Sequence, residues 1–134
     1  MTQAAIRQSL ADCHTIAVVG LSPKAHRDSF RVAKYMQDHG FRIIPINPNA
    51  SEVLGEQAYA TLTEAAQHAR IDMVNCFRNS EDIPPIAAEA IAIGAKSLWL
   101  QIGVTHDDAA AQATAAGLVV VQNRCLMVEH RQLK

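Results

Sequence analysis

The sequence predicts an α/β fold: an open parallel sheet of about five strands in three layers, with helices on both faces. Two observations carry this. First, five short apolar runs, at 16–19, 43–46, 73–76, 98–102 and 118–121, are each bounded by Gly, Pro, Asn or charge. They are almost continuously hydrophobic, as strands buried on both faces are. Second, helix-like segments separate them, and right-handed crossovers through those helices make the strands parallel. Composition agrees, since 49% of the residues are hydrophobic and only 4% aromatic, which suits small-residue helix faces packed on Val- and Ile-rich strands.

The elements follow in order. Residues 3–12 form a lead-in helix ahead of the first strand. The spacing predicts a helix over 29–39, with Val32, Ala33 and Met36 inward, Asp28 or Ser29 as N-cap and Gly40 just past the end. Thr61 and Glu64 have capping-box spacing before Ala65, Ala66 and Ala69. A helix over 83–93 places Pro84 and Pro85 in its first turn, aligns Ile86, Ala90 and Ile91, and stops at Gly94. The last, 107–116, starts on Asp107 and Asp108, which favour the positive helix end, and stops at Gly117. The order is α-β-α-β-α-β-α-β-α-β. The expected strand order is 3-2-1-4-5, with 73–76 as strand 3 and the ligand edge at the switch point between strands 1 and 4. No repeat or linker interrupts the 134 residues, so one domain spanning 1–134 is expected.

A net charge of −1 makes no global case for nucleic acid or an anionic membrane. Three cysteines without C-x-x-C spacing, no signal-peptide pattern and no membrane-length apolar run point to a reduced, cytoplasmic setting. Six scattered histidines, none paired at i, i+3 or i+4, give no reason to expect a metal site or a catalytic base.

Charge is concentrated at one place. Lys24, Arg27, Arg31 and Lys34 face a single carboxylate, Asp28, just after the first strand breaks at Gly20. A glycine there lets backbone approach an anion, and the following helix N-terminus supplies free N–H groups and a partial positive charge. Arg31 and Lys34 read more simply as a solvated helix face. The other strand ends add Asn47-Pro48-Asn49, Phe77-Arg78-Asn79, Gln101 with His106, and Asn123-Arg124-Cys125, where basic and amide side chains dominate. Lys24, Arg27 and Arg78 converging would hold a pyrophosphate. The loop lacks the second and third glycines of G-x-G-x-x-G. Asn47-Pro48-Asn49 stands where NAD-binding domains carry a ribose-gripping acid, so NAD is disfavoured.

These residues resemble the small stand-alone CoA-binding proteins. Their Rossmann-like domain is similar to the CoA-binding domain of succinyl-CoA synthetase alpha subunits. The matching motifs are Val19-Gly20-Leu21-Ser22 with Arg27 and Ser29, Pro45-Ile46-Asn47-Pro48, Glu52 to Gly55 with Tyr59, Phe77-Arg78, Gly94-Ala95-Lys96 with Trp99 and Gln101, and Arg124-Cys125 with Glu129. They run collinearly over about residues 15 to 130. The resemblance implies a module that binds coenzyme A or acyl-CoA without catalytic activity of its own. Carried over, Gly20, Leu21 and Ser22 would line the diphosphate through backbone N–H groups and the Ser22 hydroxyl. Lys24 and Arg27 would meet phosphates, and Ser29 would open the helix. Asn47 and Pro48 would flank the adenosine, and Phe77 and Arg78 would border the ligand. Asn123 departs from the family's aspartate before Arg-Cys.

Plainer readings stand beside these. Gly20 and Ser22 also suit a tight strand-to-helix turn, Pro48 also suits a turn after Asn47, and Trp99 reads as core. Cys125 reads as an inert thiol, or, beside Arg124, as a partner for a CoA mixed disulfide. An NAD(P)-binding enzyme domain, a CoA-ligase component and a CoA-sensing regulatory protein are the rival functions. A homo-oligomer or a partner from acyl-CoA metabolism is compatible with each.

Overall fold

Each apolar run becomes a strand. A computed structural model describes residues 3–133. In it α1 (Gln3–Asp12) leads into β1 (Thr15–Val19), followed by α2 (Asp28–Asp38) and β2 (Arg42–Ile46). A small ribbon, β3 (Glu52–Val53) and β4 (Glu56–Gln57), precedes α3 (Leu62–Ala66) and β5 (Met73–Cys76). A 3-10 turn at Ser80–Asp82 runs into α4 (Ile83–Ala92), then β6 (Ser97–Leu100), α5 (Asp107–Ala115), β7 (Val119–Val121) and α6 (Leu126–Gln132).

The five long strands form one parallel sheet in the order β2-β1-β5-β6-β7. Side chains alternate across it and build two cores. Ile16, Val18, Ile43, Met73, Trp99 and Val121 pack with residues of α1, α2 and α6. Ala17, Val19, Ile44, Val74, Leu98 and Leu100 pack with residues of α3, α4 and α5. The three-layer arrangement follows from strands that are apolar on both faces. Trp99 is fully buried and donates its indole N–H to the Arg124 carbonyl (2.9 Å), which settles it as core.

The run at 73–76 takes a different place from the one expected. It lies against β1, between β1 and β6, not outside β2. The outer position beside β2 is held by one residue, Tyr59, in a parallel bridge to Ile46. The 3-2-1-4-5 pattern is met with Tyr59 in third place and 73–76 in fourth. Pro45 explains the reduction. Its carbonyl accepts from the Tyr59 N–H (3.0 Å) on the outer side of β2. The N–H that proline lacks falls on that same side, so no full ladder can form there.

Three local features were not anticipated. The alternating pattern of the sequence ends on β7, whereas α6 follows it and seals the sheet through Leu126. The β3–β4 ribbon inserts Val53 into the α2 face, and its two-residue turn carries Leu54 and Gly55 at positive φ. The fourth run ends at Leu100, which leaves Ile102 on the surface, 67% exposed. Most caps behave as read: Thr61 accepts from the Glu64 N–H (3.1 Å), and Gly40 takes φ +94° past α2. The α2 cap is Arg27, whose side chain makes no capping bond, in place of Asp28 or Ser29.

Asp72 ties the opposite, amino-terminal edge together. Its carboxylate accepts from the backbone N–H groups of His14 and Thr15, both at 3.0 Å, with Lys96 and Arg70 within ion-pair reach. Burial works to raise this carboxyl. The two N–H donors and the two cations outweigh it and hold the group below the ordinary carboxylate value.

Candidate functional site

The carboxyl edge brings the loop after β1 against the end of β5. Gly20 has φ +85°, and its N–H donates to the Ile46 carbonyl (2.9 Å). A side chain on it would put Cβ 2.4 Å from the Phe77 carbonyl oxygen and 3.2 Å from Arg78 Cδ. Leu21 is wholly buried and pins the loop to the α2 face. The Ser22 N–H donates to Ser29 Oγ (3.0 Å), and Ser22 Oγ accepts from the Lys24 N–H (3.1 Å). The Gly20 and Ser22 N–H groups, expected to face a diphosphate, are therefore already bonded inside the protein. What the loop presents outward is the first turn of α2, uncapped by Arg27, with the exposed Lys24 and Arg27 side chains.

The expected cations divide in two. Arg31 pairs with Asp28 and donates to the His26 carbonyl (2.8 Å), while Lys34 pairs with Asp38 (2.8 Å). These two form the solvated helix face. Arg78 lies 3.4 Å from Asp82, partly exposed. Lys24 and Arg27 make no ion pair among the described residues.

Asn47 works as a brace. Its Nδ2 donates to the Leu21 carbonyl (3.0 Å), and its Oδ1 accepts from the Asn49 N–H (2.9 Å). It locks the end of β2 to the loop after β1 and shapes the turn that Pro48 enters.

Two cavities flank the switch point between β1 and β5. The first, about 320 Å³, lies on the α3/α4 side and includes Ile46, Pro48, Leu62, Arg78, Asp82 and Ile86 in its wall. The second, about 340 Å³, lies between α2 and α6 and is walled by Phe77, Gln101, Cys125 and Met127 among others. A shallower groove over Phe77, Arg78, Asp82, Gln101 and Ile102 shares walls with both. Consecutive residues just past β5, Phe77 and Arg78, thus line opposite chambers.

Carboxylates are more prominent than the strand ends implied. Glu81, Asp82 and Glu89 all line the first cavity. The acid-rich turn 80–82 was the legible signal for two of them. Glu89 arrives only through folding, and its Oε2 accepts from the Thr63 N–H (3.0 Å) and hydroxyl (2.8 Å).

Other candidates have structural work. His106 caps α5 by accepting from the Ala109 N–H (3.1 Å). Asn123 adopts φ +58°, a conformation asparagine tolerates well, and its Oδ1 accepts from the Gly103 N–H (2.7 Å). The amide thereby joins the loops after β6 and β7. Cys76, fully buried, is pushed up to about 12 by burial, with Arg78 slightly opposing. Cys13 is likewise pushed up to about 12, by burial and then by Asp72. Cys125 is half-buried on the second cavity. Asn75 is fully buried in mid-sheet, between Val18 and Trp99, and neither its Nδ2 nor its Oδ1 meets a partner among the described residues. No group of three potential ligands could hold a metal ion among the described residues, and no helix is long and apolar enough to cross a membrane.

A doubly wound parallel sheet with helices on both faces and a crevice at its switch point is the Rossmann-like α/β architecture. Within that class, residues 14–131 match the CoA binding domain, and the chain belongs to this family. It is similar to the uncharacterized protein YneT of Bacillus subtilis (strain 168), 38% identical over 99% of this chain and 97% of that one. A hypothetical protein from Pyrococcus horikoshii OT3 shares its structure with a TM-score of 0.92, at 37% identity over 99% of this chain and 92% of the other. The dinucleotide-forming acetyl-coenzyme A synthetase 1 of Ca. Korarchaeum cryptofilum superposes with a TM-score of 0.73, over 84% of this chain and 26% of that one. At 19% identity that likeness shows the shared fold alone.

Proposed function

We propose that this protein binds coenzyme A or an acyl-CoA across the β1–β5 switch point, as a binding module without turnover of its own. The observation that carries the reading is the pair of chambers on either side of the Gly20–Phe77 contact, joined by a groove. A ligand with two bulky ends and a charged middle fits that plan. Family membership favours CoA among such ligands.

The diphosphate would lie over the loop after β1, held by the N–H groups of the α2 first turn and by Lys24 and Arg27. Ser22 and Ser29 would act by fixing that loop, and Asn47 by bracing it. The adenine would enter the first chamber beside Pro48, where the carboxylates can accept from its amino group. Those acids repel phosphate, so the 3′-phosphate belongs on the Lys24–Arg27 side. The pantetheine would pass Phe77 into the second chamber. Absence of turnover is consistent with His106 serving as a helix cap and with buried, high-pKa Cys13 and Cys76.

A thermal-shift panel with CoA, acetyl-CoA, NAD, NADP and ATP tests this. A ligand at 100 times its Kd adds about 2.7 kcal/mol, which is about 10 °C in Tm for a domain of this size. A shift with CoA species alone is expected. A shift with NAD or NADP alone would overturn the reading in favour of the dinucleotide enzyme.

A further inference from the structure

We infer that the chamber between α2 and α6 is an acyl pocket, and that the protein prefers CoA thioesters of short, neutral aliphatic acids over free CoA. The inference rests on the CoA reading above and specifies the group carried at the far end of the ligand.

Three observations lead to it. The chamber wall is chiefly apolar: Val32, Phe77, Ile102, Cys125, Met127 and Val128. Most of its polar groups are engaged within the protein. Asp28 and Arg31 pair with each other at the rim, and Gln101 Oε1 accepts from the Leu126 N–H (3.0 Å). A free thiol end would leave this apolar wall wet, whereas an alkyl chain would cover it. Finally, Ile102, at 67% exposed, is the one large hydrophobic side chain strongly exposed among the described residues, and it stands in that wall. An apolar side chain displayed at the edge of an apolar chamber is accounted for by a ligand that buries it.

The charge pattern narrows the acyl class further. Arg31 is paired with Asp28 and also donates to the His26 carbonyl, so its charge is already compensated and the chamber offers no net positive charge to a second carboxylate. Asp28 would repel one. Acyl groups ending in a carboxylate are therefore disfavoured. A volume of about 340 Å³ suits the thioester end and a chain of a few carbons, not a long fatty acid.

The test is calorimetric titration of the full chain with CoA, butyryl-CoA, hexanoyl-CoA and succinyl-CoA. Each buried methylene adds about fourfold in affinity. Hexanoyl-CoA should therefore bind roughly 15-fold more tightly than butyryl-CoA, and succinyl-CoA no more tightly than CoA. In Ile102→Asp the ratio of hexanoyl-CoA to CoA affinity should fall by at least tenfold, a ratio that a general loss of folding would not move. Binding of all four with equal affinity would sink the acyl pocket and leave the CoA reading standing. Tightest binding of succinyl-CoA would overturn the neutral-chain preference. No binding of any of the four would bring down the CoA reading and this inference together.

Discussion

Gly20 and Phe77 meet so closely that no side chain fits between them: a Cβ on Gly20 would stand 2.4 Å from the Phe77 carbonyl oxygen. The contact joins the turn after β1 to the end of β5, at the point where the sheet changes winding direction. Gly20→Ala would meet a backbone atom, which cannot rotate away, and would also adopt φ +85°. The expected cost is about 3 kcal/mol, from steric overlap and left-handed strain together. Chemical denaturation measures it, and a loss below about 1 kcal/mol would show that the turn can relax. Substitution at Gly20 is consequently a test of folding before it is a test of binding.

Lys24 and Arg27 offer the cleaner probe of the ligand. Both are exposed and outside any ion pair among the described residues. The double change Lys24→Ala and Arg27→Ala should leave stability within about 0.5 kcal/mol. CoA affinity should fall at least tenfold, with a weaker dependence on salt. Unchanged affinity at low salt would move the diphosphate away from this loop.

The three cysteines should react unequally. Burial raises the Cys13 and Cys76 thiols to about 12, so neither forms thiolate readily near neutral pH. Cys125 is more accessible, on the wall of the second chamber. Intact mass after brief iodoacetamide treatment should show one adduct on the native protein and three after denaturation. An acyl-CoA should protect Cys125, and more strongly than free CoA does. Undiminished labelling under saturating acyl-CoA would place the pantetheine elsewhere.

Asn75 should be replaceable at a gain. A fully buried amide that meets no partner among the described residues carries a desolvation cost that an apolar residue of similar size avoids. Asn75→Leu is expected to raise stability by about 1 kcal/mol. A lower Tm would reveal that the amide is satisfied in solution by a buried water.

Asp72 sets an acid-sensitive contribution at the amino-terminal edge. Its folded pKa lies below the unfolded value of 3.8. Its stabilisation is therefore complete above that value and is lost as pH falls through the folded pKa. The stability gap between wild type and Asp72→Asn should be constant near neutrality and should close below about pH 4. A gap that persists unchanged at pH 2 would remove ionisation as its cause.

Much of the architecture was legible because it rests on local or periodic signals. The apolar runs marked the five strands, and Gly40, Thr61 and the Pro84-Pro85 pair marked helix ends. The short elements escaped. Helix α6 and the β3–β4 ribbon are held by a few buried side chains, among them Leu126 and Val53, too few to make a period. The acids of the first chamber escaped for another reason: Glu89 sits inside α4, far in sequence from any strand end.

By itself, then, the sequence determined a parallel α/β sheet, buried on both faces, with a basic turn after its first strand. Hydrophobic period, turn residues and caps act over a few residues and can be read there. Only the tertiary structure decided which strand neighbours β1, which N–H groups the loop keeps for itself, and which cations remain outside ion pairs. Those outcomes depend on partners distant in sequence: Tyr59 beside Ile46, the Ile46 carbonyl accepting from the Gly20 N–H, and Phe77 against Gly20. Pairings of that kind follow from close packing of the whole chain, which leaves no short-range pattern to read.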